Sequence, residues 1–413
     1  MAACDRSIHD AALWAWALTA TLLMQTLTAF QTRMFPLLGP SLVEAAGIPS
    51  ASIGYLVALH SAGTVWFLVA AGDWLPRLGP LRSLQAGVAL GVGGLLLALP
   101  GDWWLLVASA LVIGIGYGPS ATAGSEVLMR YAPVRHRSLV FSLKQSGVPL
   151  GGAVAGAALP PLIDLAGWRV ACVVSGALML AITFAIQPLR AAIDRHRDRE
   201  RPASLLCLFD PRAIRRPFHA LRADPGLRAF AAAGVCFALA QGVLFAFFVV
   251  YAMEQGRLGL VAAGLAFSSM QIAGIVGRLA AGWAADRLRT PRLVLIGLGA
   301  GSAIALSGMA LLDASWPVWQ MHAVAALAGA TSTGWNGVFL SDLGRFAPAE
   351  RIGETTAAVT FFVFLGYVAG PAIFGWAVLH DVSYRTAFVL LATAVIAGVA
   401  TLAATFLPRR AAA

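Results

Sequence analysis

Lysine is almost missing from this chain of 413 residues: Lys144 is the only one, and every other basic side chain among its 29 Lys+Arg is arginine. In the context Leu143-Lys144-Gln145 that lysine cannot complete a GxxxxGK[ST] loop, which excludes ATP-driven transport by this polypeptide. The four cysteines (Cys4, Cys172, Cys207, Cys236) are scattered with no CxxC pair, so neither a disulfide framework nor a zinc site is expected. There is no HExxH and no GxSxG. Gly114-Ile115-Gly116-Tyr117-Gly118 lies inside an apolar run and is no dinucleotide fingerprint. No enzyme, cofactor or metal is expected. Charge is scarce as well, at 12 % of residues, which sets the chain apart from ordinary soluble domains.

What fills the chain is apolar: 59 % hydrophobic residues and a mean hydropathy of +0.79. A helix needs about 20 apolar residues to cross a bilayer. Twelve segments meet that: 12–34, 50–71, 83–100, 103–126, 138–162, 168–187, 228–251, 258–281, 293–312, 316–341, 353–378 and 384–407. The first is read as a retained helix, because Met1–Asp10 has no basic leader pattern. An even number of spans puts both termini on one side. The loops of that side, counted with Arg228 at the edge of the seventh span, hold 23 arginines, against Arg33, Arg169, Arg257 and Arg385 on the other. This is the positive-inside pattern, so the net charge of +10 speaks for a multi-pass protein with cytoplasmic termini and not for nucleic-acid binding. Abundant Ala, Gly and Arg suggest a GC-rich bacterial genome and hence the inner membrane.

The chain also repeats itself. Tyr131-Ala132-Pro133-Val134-Arg135 is echoed by Phe346-Ala347-Pro348-Ala349-Glu350-Arg351, and Trp168-Arg169 by Tyr384-Arg385. Gly72, Arg77 and Arg82 are echoed by Gly282, Arg287 and Arg292, each 210 residues on. The expected organisation is an N-terminal six-helix bundle over 1–187, a basic cytoplasmic linker over 188–227 and a C-terminal six-helix bundle over 228–413. Ten of the basic residues fall between Gln187 and Arg228, and Leu205–Phe209 is a candidate for lying on the membrane surface. Duplicated bundles hold their working site where the repeats meet.

Two six-span halves, a long basic central loop and Gly/Arg turns after spans 2 and 8 resemble the major facilitator superfamily over essentially the whole chain. The family's turn runs Gly, three residues, Asp-Arg, one residue, Gly, then basic residues. The first copy keeps Gly72, Arg77, Gly79 and Arg82 but has Pro76 in place of the Asp. The second, with Gly282, Asp286 and Arg287, keeps the Asp and loses the later Gly. The resemblance implies a cytoplasmic gate at these turns, with Glu126, Arg278 and Asp342 as further members; positively charged anchors that only fix orientation are the other reading. In such a turn glycine permits close helix approach and an Asp–Arg pair can latch. In span 5, Gly147/Gly151 and Gly152/Gly156 give a flat packing face, and Pro149 can bend the helix.

The family's central cavity draws on spans 1, 4, 5, 7, 8, 10 and 11. Polar residues on its helices are therefore the substrate-binding candidates: Gln31, Arg33, His60, Lys144, Gln145, Gln241, Gln271, Trp335, Asn336 and Tyr367. Gln25 and His322 are further members of this polar set. Each could equally serve as an interhelical hydrogen bond. Lys144 either faces a cavity, where it attracts an anion, or snorkels to the surface. The expectation is an all-α secondary transporter of a small organic solute, an anion or carboxylate, working as a monomer by alternating access. Multidrug efflux, or a non-transporting membrane sensor, are the alternatives.

Overall fold

The computed structural model describes residues 2–70, 74–131, 140, 143–195, 197–200, 225–346 and 352–404. Gly72 and Asp73, together with Pro133, Arg135, Arg137, Leu205–Phe209, Pro348 and Arg351, lie outside the described residues. Among those described, the regular secondary structure is helical. In chain order the helices are α1 (Ala2–Ala46), α2 (Ser52–Ala70), the short α3 (Trp74–Leu78), α4 (Pro80–Ala98), α5 (Trp103–Tyr131), α6 (Gly147–Ala166), α7 (Trp168–Ala185) and a single turn α8 (Arg190–Ile193). Then come α9 (Pro225–Glu254), α10 (Leu260–Leu288), α11 (Pro291–Ala310), α12 (Val318–Ser332), α13 (Trp335–Phe346), α14 (Ile352–Leu379) and α15 (Tyr384–Ala404).

Among the described residues, ten helices are long and apolar enough to cross a membrane. Two of the twelve expected spans are not among them. The first lies in α1, where Thr21, Gln25, Thr26, Thr28, Gln31, Thr32 and Arg33 are interleaved with apolar residues. The tenth is divided at Thr333-Gly334 into α12 and α13. The threonines of α1 do not break it, because each hydroxyl donates to a carbonyl one turn back, as Thr28 Oγ1 does to Met24 O at 3.0 Å.

The chain divides into two compact units. Unit 1 comprises residues 1–34 and 62–210, and unit 2 residues 35–61 and 211–413. A lipid environment supplies no hydrophobic drive between helices, so each unit is held by close packing at small residues. In unit 1, Gly147 and Gly151 lie against Gln25 and Thr26–Phe30 of α1; a Cβ on Gly151 would strike the Thr26 carbonyl. Gly87 and Gly116 similarly bring α4 and α5 into backbone contact. In unit 2, α9 is buried on nearly all sides, with Phe237, Phe247, Phe248 and Tyr251 fully enclosed. Gly277 and Gly329 let α10 and α12 touch backbone to backbone.

Gly282, by contrast, has open space where a Cβ would stand, so the close approach expected of it is not what the structure shows. Pro149 offers no N–H to the Gln145 carbonyl, and at Ser146 the helix tightens for one residue, with Ser146 N donating to the Leu143 carbonyl at 3.2 Å while the backbone stays helical.

Candidate functional site

In unit 1 the polar groups gather around that tightened turn. Lys144 is 1 % exposed; its Nζ donates to the Ser120 carbonyl at 2.9 Å and to Gln145 Oε1 at 3.4 Å. Its aliphatic stem lies over Gly124, where a Cβ would stand 2.9 Å from Lys144 Cε. Gly124 is one turn beyond Ser120, so α5 provides both the acceptor and the groove. An ammonium carries three donors. Two are used here, one of them at long range, and no carboxylate of the described residues pairs with the charge. Two acceptors stand nearby without a hydrogen bond. They are Ser120 Oγ, on the residue that receives Lys144, and Gln25 Oε1, on the α1 residue against which Gly147 packs. Lys144 is thus enclosed in the unit and not extended to its surface.

Gln31 is spent on structure: its Nε2 donates to the Val88 carbonyl at 3.1 Å, and Gly91 makes room for its amide. Arg33 Nη1 donates to Thr32 Oγ1 at 3.2 Å.

In unit 2 four of the candidates converge. Gln241 Oε1, on α9, receives Trp335 Nε1 at 3.0 Å, Asn336 Nδ2 at 3.4 Å and Tyr367 OH at 2.7 Å. Trp335 stacks on Phe237 with 5.2 Å between ring centroids, and Phe339 meets Trp335 edge-on at the same distance. The interruption at Thr333-Gly334 sets Trp335 and Asn336 at the first turn of α13. Arg278 Nη2 donates to the Thr333 carbonyl at 3.1 Å. This bond ties Arg278 to the interrupted helix. Gln271 is 0 % exposed, and neither of its amide atoms has a hydrogen-bond partner among the described residues. His322 Nδ1 is paired with Ser269 Oγ at 2.8 Å, a packing contact, and His60 is half-buried on α2. A cavity of about 440 Å³ lined by Tyr251, Asp313, Asp381 and Arg385 lies at other turns of unit 2 and takes in none of the candidates.

Among the described residues the turns are held by two carboxylates, Asp194 and Asp342. Arg77, Asp286 and Arg287 are exposed, and the Arg287 guanidinium lies 5.7 Å from the Trp283 ring centre. The ion pair of the second turn is Arg292 Nε to Asp342 Oδ2, at 3.1 Å. In the first turn Arg82 Nε stands 3.9 Å from Asp194 Oδ2. Asp194 accepts the backbone N–H of Leu81 (2.8 Å) and of Arg82 (3.2 Å), capping α4, and Asp198 N donates to the Pro76 carbonyl at 3.0 Å. Burial pushes the Asp194 carboxyl above the usual carboxylate range, against those two N–H bonds and the charges of Arg82 and Arg190. Glu126 is half-buried near the end of α5. Sequence reasoning passed over Asp194, Ser120 and Arg292 as functional groups. Arg292 was visible as the repeat of Arg82; Asp194 sits in an arginine-rich run with no repeat partner, and nothing in the sequence marked it.

Helical halves with duplicated turns, an interrupted helix beside a buried polar cluster and a buried ammonium define a polytopic transporter and not an enzyme. The sequence matches the profile described as Major Facilitator Superfamily over residues 21–371, and the chain belongs to that family. It is 25 % identical over 353 residues to the 4-hydroxybenzoate transporter PcaK of Pseudomonas aeruginosa, covering 78 % of this chain and 77 % of that one. It is 24 % identical to a gallate transporter of Pseudomonas putida, covering 84 % and 80 %. The benzoate transport protein of Acinetobacter baylyi is 22 % identical, covering 88 % and 83 %. Among solved structures, a bacterial homolog of the human lysosomal transporter Spinster aligns with a TM-score of 0.71 at 15 % identity, over 95 % of both chains. A peptide transporter, POT, aligns with a TM-score of 0.74 at 14 % identity over 94 % of both. These two likenesses establish the fold.

Proposed function

We propose that the protein is a secondary transporter of small aromatic carboxylates. The observation that carries this reading is Lys144: a buried ammonium with a spare donor and no carboxylate partner among the described residues. Burying an unpaired charge is costly, so a site that keeps one is built for an opposite charge that comes and goes. Ser120 Oγ can donate to the same carboxylate. The aromatic part of the proposal is supported by relatives named for the transport of 4-hydroxybenzoate, gallate and benzoate.

The rest of the reading follows the family and the charge pattern. The protein sits in a bacterial inner membrane as a monomer with both termini in the cytoplasm, two six-span bundles joined by linker 188–227. It works by alternating access.

Counterflow of labelled 4-hydroxybenzoate into proteoliposomes tests the substrate. Lys144→Gln keeps a hydrogen-bonding end on a side chain one bond shorter and removes its charge. It should weaken competition by benzoate about tenfold or more, the worth of one charge-assisted hydrogen bond. Unchanged competition in that variant removes the lysine from the site. Competition by chemically unrelated cations in place of carboxylates supports multidrug efflux instead.

A further inference from the structure

We propose that unit 2 carries a separate subsite for a neutral hydroxyl group on the substrate ring, formed around Gln241 by Asn336, Tyr367 and Gln271. The inference rests on the aromatic part of the reading above but not on the charge that Lys144 recognises.

The first observation is an imbalance at one atom. A side-chain amide oxygen has two lone-pair directions. Gln241 Oε1 receives three donors. One donor is in surplus, and the distances say which. Tyr367 OH and Trp335 Nε1 lie at 2.7 and 3.0 Å, whereas Asn336 Nδ2 stands at 3.4 Å, near the limit of a hydrogen bond. Trp335 is enclosed and stacked on Phe237; Asn336 is only half-buried. Asn336 can therefore turn its amide to an incoming oxygen without disturbing the rest of the cluster.

The second observation is independent. Gln271 has both an amide donor and an amide acceptor without partners, inside the protein. An unsatisfied buried polar atom is expensive, and this residue carries two. Helix geometry sets it level with Gln241. Phe245 of α9 meets Phe267 of α10 at 6.4 Å between centroids. Gln241 is one turn before Phe245 and Gln271 one turn after Phe267, on helices that run in opposite directions, so the two glutamines fall at the same height.

The chemistry selects the ligand group. A carboxylate can only accept and an ammonium can only donate. Gln271 calls for a group that does both, and the surplus Asn336 donor calls for one that accepts. A hydroxyl satisfies all three, and none of the four residues brings a formal charge that would favour an ion. A site that hydrogen-bonds a substrate hydroxyl discriminates against the analogue without it, because its own buried groups are then left unpaired.

The test uses the full-length protein and four probes: 4-hydroxybenzoate, benzoate, 4-hydroxybenzamide and benzamide. Binding is read from thermal stabilisation in detergent and from competition in counterflow. The hydroxylated member of each pair should bind about tenfold tighter or more, the worth of one well-placed hydrogen bond. Asn336→Leu and Gln271→Leu should each bring that ratio to within about twofold. The benzamide pair reads the hydroxyl without the charge. Acids that bind no better than amides would therefore refute the Lys144 reading while the hydroxyl ratio still stands. The subsite is overturned by equal binding within both pairs, by a ratio that survives both substitutions, or by failure of both hydroxylated probes to bind. The melting temperature of each variant without ligand guards against one that simply misfolds: the ratio should fall in variants whose unliganded melting temperature is retained.

Discussion

Gly79 and Arg289 occupy equivalent places in the two turn repeats, 210 residues apart, and both have positive φ. Gly79 takes φ 90° and ψ 152°, a region open essentially to glycine alone. Arg289 takes φ 55° and ψ 17°, the left-handed region that other residues reach at modest cost. Each precedes a helix that starts with proline, at Pro80 and Pro291. In the first copy the carboxylate of Asp194 is folded over the turn, onto the N–H groups of Leu81 and Arg82. In the second, the carboxylate is Asp342 on α13, and among the described residues it holds the Arg292 guanidinium and no backbone N–H. The same repeat is thus closed once by capping and once by an ion pair. The first copy has lost its turn acid to Pro76, and its carboxylate comes from the residue that follows α8.

The comparison breaks most readily at Gly79. A Cβ there would lie 2.7 Å from Asp194 Cγ, in a backbone region that alanine avoids. Gly79→Ala should destabilise the protein by about 3 kcal/mol, most of it backbone strain and the rest the loss of the Asp194 cap. Unfolding in detergent measures it. A loss under about 1 kcal/mol means that the turn relaxes and the cap is not what holds it.

The two acids separate next. The Arg292 side chain is 16 % exposed and that of Asp342 8 %, at 3.1 Å. Asp342→Asn strands a mostly buried guanidinium and should cost about 2 kcal/mol, below the range for fully buried pairs because some solvent reaches the arginine. Arg82, at 34 % exposed and 3.9 Å from Asp194, stands beyond hydrogen-bond distance and keeps part of its side chain in solvent. Arg82→Gln should cost less than about 0.5 kcal/mol. Equal losses in the two variants would show that the first turn is also closed by charge, and would end the distinction.

Much of this architecture was legible in the sequence. The spans followed from apolar length, and the repeats from Gly72/Gly282 and Arg82/Arg292. Gln241, Trp335, Asn336 and Tyr367 were separate candidates because a polar side chain within an apolar helix needs a partner. That they share one oxygen depends on the interruption at Thr333-Gly334, which no proline announces. Pro149 did announce the tightened turn beside Lys144. Asp194 was illegible for a different reason: a cap acting across more than 100 residues of chain leaves no local spacing to read.

The smallest expected effect sharpens the comparison from the opposite side. If Arg289 has a strained backbone that Gly79 avoids, then Arg289→Gly should stabilise the second turn. The left-handed conformation costs a residue with a Cβ about 1–2 kcal/mol. Glycine returns about 0.5–1 kcal/mol of that through the greater entropy it loses on folding. The side chain itself is exposed, so removing its charge adds little. The net gain should be about 0.5 kcal/mol, seen as a small rise in melting temperature, while Arg289→Ala, which keeps the Cβ, should leave it unchanged. A gain as large in the alanine variant would assign the effect to the lost charge. The two turns would then differ in their electrostatics alone and not in their backbones.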